Sequence, residues 1–247
     1  MNFFSLFKRN LIFKFKKKTL IDNDDFKFKT IDDLFYYYGS DKSEKIKSTN
    51  EQGHGFSKYY SKYLENFKNN KNNILEIGSF SGASAASFSR YLPNSKIFCF
   101  DVNISNFKFY SKNIYVHGLD ISNTNRAEIT LKKIFTKHNF NFFDIIIDDG
   151  SHNLSDILIS LNLFFKYLKK GGLFVIEDFK FPNYYPYNKD VNEILIDELL
   201  KKIQEKEYFN FKFINKKTQD VFFNSFDSIN ILKGNLPISD ICFIKKK

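Results

Sequence analysis

The sequence predicts an α/β domain built on a doubly wound, largely parallel sheet. Short apolar runs alternate with helix-length stretches over most of the chain. Two of those runs, Phe143-Asp144-Ile145-Ile146-Ile147 and Gly172-Leu173-Phe174-Val175-Ile176, flank a helix-length stretch from Leu154 to Lys170, which is a βαβ rhythm. Both runs end in acidic clusters, Asp148-Asp149-Gly150-Ser151-His152 and Glu177-Asp178. Parallel strands place such clusters at one edge of the sheet, beyond the carboxyl ends.

The elements follow in order. Residues 1 to about 30 form a basic, Phe-rich arm. Its blocks of Phe and Lys allow peripheral contact with an anionic membrane surface, but no clean helical stripe emerges, and a disordered or locally docked arm is the plainer reading. Residues 31–70 read as a helical extension. It turns at Tyr38-Gly39-Ser40-Asp41-Lys42 and at Gln52-Gly53-His54-Gly55, then enters a helix from Ser57 to Phe67. Residues 71–247 hold the main domain. Its first strand is Ile74-Leu75-Glu76-Ile77-Gly78, followed by a small-residue helix from Gly82 to Tyr91. Lys96 to Asp101 and Asn113 to His117 are the second and third strands, and a helix from Asn125 to Lys137 leads to the strand ending at Asp148. Beyond Asp178 come a loop with Pro182 and Pro186 and a helix from Val191 to Lys206. Two or three β-rich segments follow: Phe209 to Ile214, Ser228 to Leu232 and Ile241 to Lys245.

Composition sets the bounds. A chain of 247 residues accommodates one α/β domain with modest additions. Its core must come from 32 Phe and many Ile, because there is no Trp and one Met. The excess of Phe, Ile, Lys and Asn matches the codon bias of an AT-rich genome. The formal charge of +10 is therefore weak evidence for a polyanionic partner, and no specific nucleic-acid contact is expected. Cys99 and Cys242 lie in strand-like runs and read as buried free thiols of a cytoplasmic protein. No apolar run approaches a membrane span, and lysines interrupt the N-terminus too often for a cleaved secretion signal.

Glu76-Ile77-Gly78-Ser79-Phe80-Ser81-Gly82 occupies the first strand-to-helix turn, where open α/β sheets bind nucleotides. Gly78 permits a sharp turn close to a ligand, and Gly82 opens the helix. A dinucleotide fingerprint would place a second glycine where Phe80 stands and a third where Ala83 stands. Phe80 crowds out a pyrophosphate, so NAD and FAD are disfavoured and an adenosyl ligand without phosphates fits better. Asp101, at the end of the second strand, can accept hydrogen bonds from two ribose hydroxyls, and Asp120 can meet an adenine amino group. Singly each is a common turn or cap. In order after consecutive strands they form a strong signal.

From these residues onward, over roughly 70 to 245, the chain resembles the class I S-adenosylmethionine-dependent methyltransferases. Glu76, Gly78, Ser79 and Gly82 match the first motif of that family and Asp101 its ribose-binding acid. The resemblance implies a Rossmann-like sheet of seven strands in the order 3-2-1-4-5-7-6. Asp-Asp-Gly-Ser-His after the fourth strand and Glu-Asp after the fifth resemble the macrocin and mycinamicin sugar O-methyltransferases and the related cephalosporin hydroxylase-like group. That resemblance implies Mg²⁺ held by Asp149, Glu177 and Asp178, with His152 as general base and Asp148 as support. The segment from Tyr38 to Lys42, with His54 and Tyr59, resembles a part of the sugar-modifying members and makes His54 and Tyr59 substrate-facing candidates. Members of this group often assemble, so the resemblance allows a homo-oligomer, although the sequence itself does not set the oligomeric state.

The chemistry of these side chains agrees. Mg²⁺ takes oxygen ligands and keeps several waters, two of which vicinal hydroxyls can replace. Binding to the metal lowers the hydroxyl pKa, and a histidine with an ordinary pKa near 6.5 is suited to remove the proton. The base-amine motif Asn/Asp/Ser-Pro-Pro-Tyr is absent after the fourth strand, and Tyr185-Pro186-Tyr187 follows the fifth. A sugar or glycan hydroxyl is thus the expected acceptor. The competing readings are a catechol-like diol acceptor on the same fold, and a non-enzymatic binder of RNA or membrane. His117 and His138 take structural roles.

Overall fold

A computed structural model of the chain describes residues 3–24, 30–179, 194–211 and 214–247. It divides into two compact units, Met1–Asp120 with Gly234–Pro237, and Ile121–Lys233 with Ile238–Lys247.

The first unit begins with α1 (Phe3–Phe15) and β1 (Thr19–Leu20). Then come α2 (Ile31–Tyr38) and α3 (Ser57–Leu64), which continues as a 3-10 turn over Glu65–Phe67. β2 (Asn73–Ile77), α4 (Ala83–Tyr91), β3 (Lys96–Asp101), β4 (Phe109–Tyr110) and β5 (Ile114–Gly118) complete it. β2, β3 and β5 pair in parallel. A capping box starts α2: the Thr30 hydroxyl accepts from the Asp33 amide while the Asp33 carboxylate accepts from the Thr30 amide. Phe35 of α2, Tyr60 of α3 and Phe88 of α4 are all fully buried, with ring centroids 5.1–5.9 Å apart. These edge-on contacts bind the N-terminal extension to the helix that follows the first strand.

The arm before α2 is docked as well. Arg9 donates to the Val102 carbonyl at 3.1 Å and Lys16 to the Ser105 carbonyl at 2.8 Å. β1 pairs in parallel with β4. Asp22 accepts from the Ser111 hydroxyl at 2.6 Å and from the Lys112 amide at 3.0 Å. Together these contacts order residues whose sequence shows no amphipathic stripe.

The second unit contains α5 (Thr124–His138), β6 (Phe143–Asp148), α6 (Leu154–Phe164), β7 (Leu168–Glu177), α7 (Ile196–Glu205), α8 (Lys216–Ser225), β8 (Phe226–Lys233) and β9 (Asp240–Lys246). β6 and β7 are parallel; β9 runs antiparallel to both β7 and β8. The seven long strands follow the order β5-β3-β2-β6-β7-β9-β8, which counted over these strands is the expected 3-2-1-4-5-7-6. Cys99 in β3 and Cys242 in β9 are both fully buried. Among the described residues no helix is long and apolar enough to cross a membrane.

Three local expectations change. α6 ends at Phe164 rather than Lys170, and β7 starts at Leu168. A register shift between Phe143 and Ile145 absorbs the extra residues, with Gly171 at φ 75°. Phe209 to Ile214, whose alternation reads as a strand, forms none over its described residues. The reason is local: Gln219 is buried, accepts from the Phe209 amide at 3.0 Å and donates to the Phe209 and Ile214 carbonyls. Backbone groups satisfied by a side chain do not need a ladder. Gln219 belongs to α8, a helix absent from the sequence reading and capped by Asn215. The loop with Pro182 and Pro186, the segment Tyr185-Pro186-Tyr187 and the start of the helix expected from Val191 lie outside the described residues.

Candidate active site

In the first unit, the turn after β2 is left-handed at every second residue: Gly78 at φ 87°, Phe80 at 42° and Gly82 at 80°. Glycine adopts this region freely, whereas a bulky residue such as Phe rarely does. Phe80 nevertheless holds it, with its side chain 63% exposed. Its amide donates to Asp101 Oδ2 at 2.7 Å, and the Gly78 amide donates to the Phe100 carbonyl at 2.8 Å. Asp101 Oδ1 accepts from the Asn103 amide. Each carboxylate oxygen retains a second lone pair for a ligand.

Gly82 is needed for a different reason from an open helix end. A Cβ there would lie 2.5 Å from the ring of Phe107, which is fully buried and meets Phe13 of α1 edge-on at 6.2 Å. Glu76 is fully buried and accepts from the Ser84 hydroxyl on α4, while Ser79 is 2% exposed. The Leu119 amide donates to the Asp101 carbonyl at 2.9 Å, which ties the half-exposed Asp120 stretch to the end of β3.

His54 and Tyr59 also belong to the first unit. The His54 Nε2 lies 3.9 Å from Asp41 Oδ2, and its carbonyl accepts from the Asn235 amide at 2.8 Å. Lys58 Nζ sits 5.1 Å from the centroid of the Tyr59 ring and donates to Asn235 Oδ1 at 3.2 Å. Asn235 also donates to Glu44 Oε2 and fills the space a Cβ on Gly55 would need. The sequence reading missed Asn235, because it lies some 180 residues away in the β8–β9 connection and only its Gly-Asn turn composition marks it.

In the second unit, β6 and β7 are registered with Asp148 opposite Ile176. Asp149 and Glu177 therefore leave the two strands at the same level. One ligand atom each from Asp149, His152 and Asp178 lie within 4.8 Å of one another, and His152 Nε2 is 3.9 Å from Asp149 Oδ1. Glu177, 1% exposed, falls outside that group. His152 at φ 55° and Asp178 at φ 50° are both left-handed, a feature that sequence patterns do not reveal. The Asp178 amide donates to the Asp240 carbonyl at 2.7 Å, so β9 holds the turn that carries it. Asn153 caps α6 by accepting from the Ser155 amide, and the Ser151 hydroxyl donates to Asp156. Burial pushes the Asp148 carboxyl up to about 7, reinforced by the charges of Asp149 and Asp156 and opposed by the Ser160 hydroxyl and Gly150 amide.

Two carboxylates and an imidazole within this span are a donor set that fits a hard divalent cation with waters completing the shell. The imidazole can act instead as a base beside the ion.

Residues 75–179, from the middle of β2 to just past Asp178, match a family model described as a methyltransferase domain. This segment is similar to that methyltransferase domain. It spans both the left-handed turn after β2 and the acidic group. L-olivosyl-oleandolide 3-O-methyltransferase of Streptomyces antibioticus is 30% identical over 163 residues, which is 63% of this chain and 38% of that protein. Mycinamicin VI 2''-O-methyltransferase of Micromonospora griseorubida is 28% identical over 132 residues, 51% of this chain and 31% of that one. The fold is that of the MycE methyltransferase solved in complex with Mg, SAH and mycinamycin VI, at a TM-score of 0.68 and 19% identity. That alignment covers 89% of this chain and 55% of MycE. The chain thus spans about a third of the length of these curated relatives and about half of MycE.

Proposed function

We propose that the protein is an S-adenosylmethionine- and Mg²⁺-dependent O-methyltransferase acting on a hydroxyl of a sugar or glycan-type substrate. The convergence of Asp149, His152 and Asp178 at the strand ends of a methyltransferase domain carries this reading. The sugar substrates in the names of the relatives support the acceptor class, and the Mg and SAH of the MycE complex support the cofactors.

In this reading Asp149 and Asp178 hold the metal, and Glu177 is the neighbouring third carboxylate. Mg²⁺, when bound, would supply the Lewis acidity that lowers the pKa of an acceptor hydroxyl. His152 takes the proton from the acceptor hydroxyl, with Asp149 stabilising the imidazolium that results. Asp101 accepts from the ribose hydroxyls of the donor, Gly78 and Ser79 border its amino-acid end, and Asp120 meets the adenine. Gly82 and Glu76 set the turn that receives it. Holding the oxygen in line with the methyl–sulfonium bond contributes much of the rate. His54 and Tyr59 are the candidate acceptor contacts of the first unit.

Labelled-methyl transfer to a panel of sugars and simple diols tests the acceptor. Replacing His152 by Ala should lower transfer by about 10²–10⁴-fold while S-adenosylhomocysteine affinity, read by calorimetry, is unchanged. Asp149→Asn should remove the thermal stabilisation by Mg²⁺. Normal turnover in both variants, or full activity in a chelator, overturns the reading.

A further inference from the structure

Two stripes run along α1. Leu6, Asn10 and Phe13, spaced i, i+4, i+7, form the docked one: Leu6 is 4% exposed, a Cβ on Gly118 would meet Asn10, and Phe13 meets Phe107. Phe4, Phe7, Leu11 and Phe15, spaced i, i+3, i+7, i+11, form the other, with exposures of 77%, 59%, 46% and 77%. Four large apolar side chains in line on one exposed face are more than scattered surface residues require. The charge beside them has one sign. Lys8, Arg9, Lys14, Lys16, Lys17 and Lys18 stand against no acidic residue before Asp22. Arg9 and Lys16 are engaged in docking, whereas Lys8, Lys14 and Lys17 are exposed.

We propose that this face of α1 lies on an anionic lipid surface, with the Phe4–Phe15 stripe entering the headgroup region and Lys8, Lys14 and Lys17 contacting lipid phosphates and carboxylates. A helix with a large apolar face bordered by lysines binds the membrane interface in this way. Charge decides against a second copy as the occupant, since two such faces would oppose three exposed lysines with three. RNA would engage the lysines and stack bases on the phenylalanines, but it would leave the aliphatic Leu11 and Ile12, 46% and 45% exposed, in water. α1 docks on the unit that carries the cofactor turn, so bound protein keeps that turn at the membrane. The inference does not depend on the acceptor proposed above.

The test is co-sedimentation of the full chain with phosphatidylcholine vesicles, with and without about 30% phosphatidylserine. Binding is expected only to the anionic vesicles and should weaken with salt. The double variant Phe7→Ser with Phe15→Ser, altered at exposed positions, should keep its melting temperature and S-adenosylhomocysteine affinity but lose binding by about tenfold or more. The triple variant Lys8→Gln, Lys14→Gln and Lys17→Gln should weaken it by about a hundredfold, at about fivefold per lysine. Absence of binding to anionic vesicles overturns the proposal, as does undiminished binding by the Phe variant. Self-association abolished in that variant without vesicle binding would assign the face to a second copy. RNA binding in place of vesicle binding would assign the lysines to nucleic acid.

Discussion

The glycine turn of the first unit and the acidic edge of the second solve one geometric problem in opposite ways. Both need left-handed backbone at a strand end. At the glycine turn, two of the three left-handed residues are glycines, Gly78 and Gly82, and the amides of Gly78 and Phe80 are tied to Phe100 and Asp101. At the acidic edge, the left-handed positions carry His152 and Asp178, two of the three members of the metal-competent group. There the chain accepts conformational strain to keep a titratable side chain, as functional sites commonly do. Asp and His are among the non-glycine residues that tolerate this region best, so chemistry and conformation are compatible at these two positions.

The contrast can be broken by substitution. Gly82→Ala adds a left-handed penalty of about 1 kcal/mol and an overlap with the buried Phe107 ring. Urea unfolding should register a loss of about 2–4 kcal/mol in total. A loss under 1 kcal/mol would mean that the turn is softer than its geometry implies. At the other edge the sign reverses. His152→Gly and Asp178→Gly should each raise the stability of the metal-free protein by about 0.5–1 kcal/mol, the relieved strain less the entropy of glycine, while removing methyl transfer. If either is destabilised instead, that side chain holds the loop together as well as serving the site.

A third effect concerns the segment between β1 and α2. At Asp22, burial raises the carboxyl pKa, but the Ser111 hydroxyl, the Lys112 amide and the charges of Lys112 and Arg90 outweigh it, leaving the pKa below the ordinary value. An acid shifted down on folding adds stability above its unfolded pKa and loses it as pH falls through the folded one. Asp22→Ala should therefore cost about 1 kcal/mol at neutral pH, and the difference from the parent should shrink below about pH 4. Melting temperatures measured across pH 3–8 check this, and a constant difference would show that the loss is packing rather than charge.

These regions also differ in how far sequence alone reveals them. β2, β3, β6 and β7 are apolar runs ending in an acidic or small residue, a pattern that survives without any tertiary information. The glycine positions of the turn after β2 are equally visible. α1 is hidden because its apolar residues serve two faces, one docked and one exposed, which erases the single stripe that periodicity detects. α8 and its Gln219 are hidden because the deciding hydrogen bonds reach ten residues back to Phe209, whose own alternation points to a strand. At the acidic edge the residue types are legible, but which of them converge is not. Asp149, His152 and Asp178 meet while Glu177 does not, because successive residues leaving a strand point to opposite sides.

The two cysteines offer a use that has nothing to do with catalysis. Each unit has one thiol, Cys99 in the first and Cys242 in the second, and burial raises the pKa of both far above neutrality. A maleimide cannot reach a closed thiol, and the protonated form is a poor nucleophile. Alkylation rates at Cys99 and Cys242, separated by peptide mass, would therefore report the opening of each unit in the unmutated protein. Any cysteine introduced at the surface would react against a silent background.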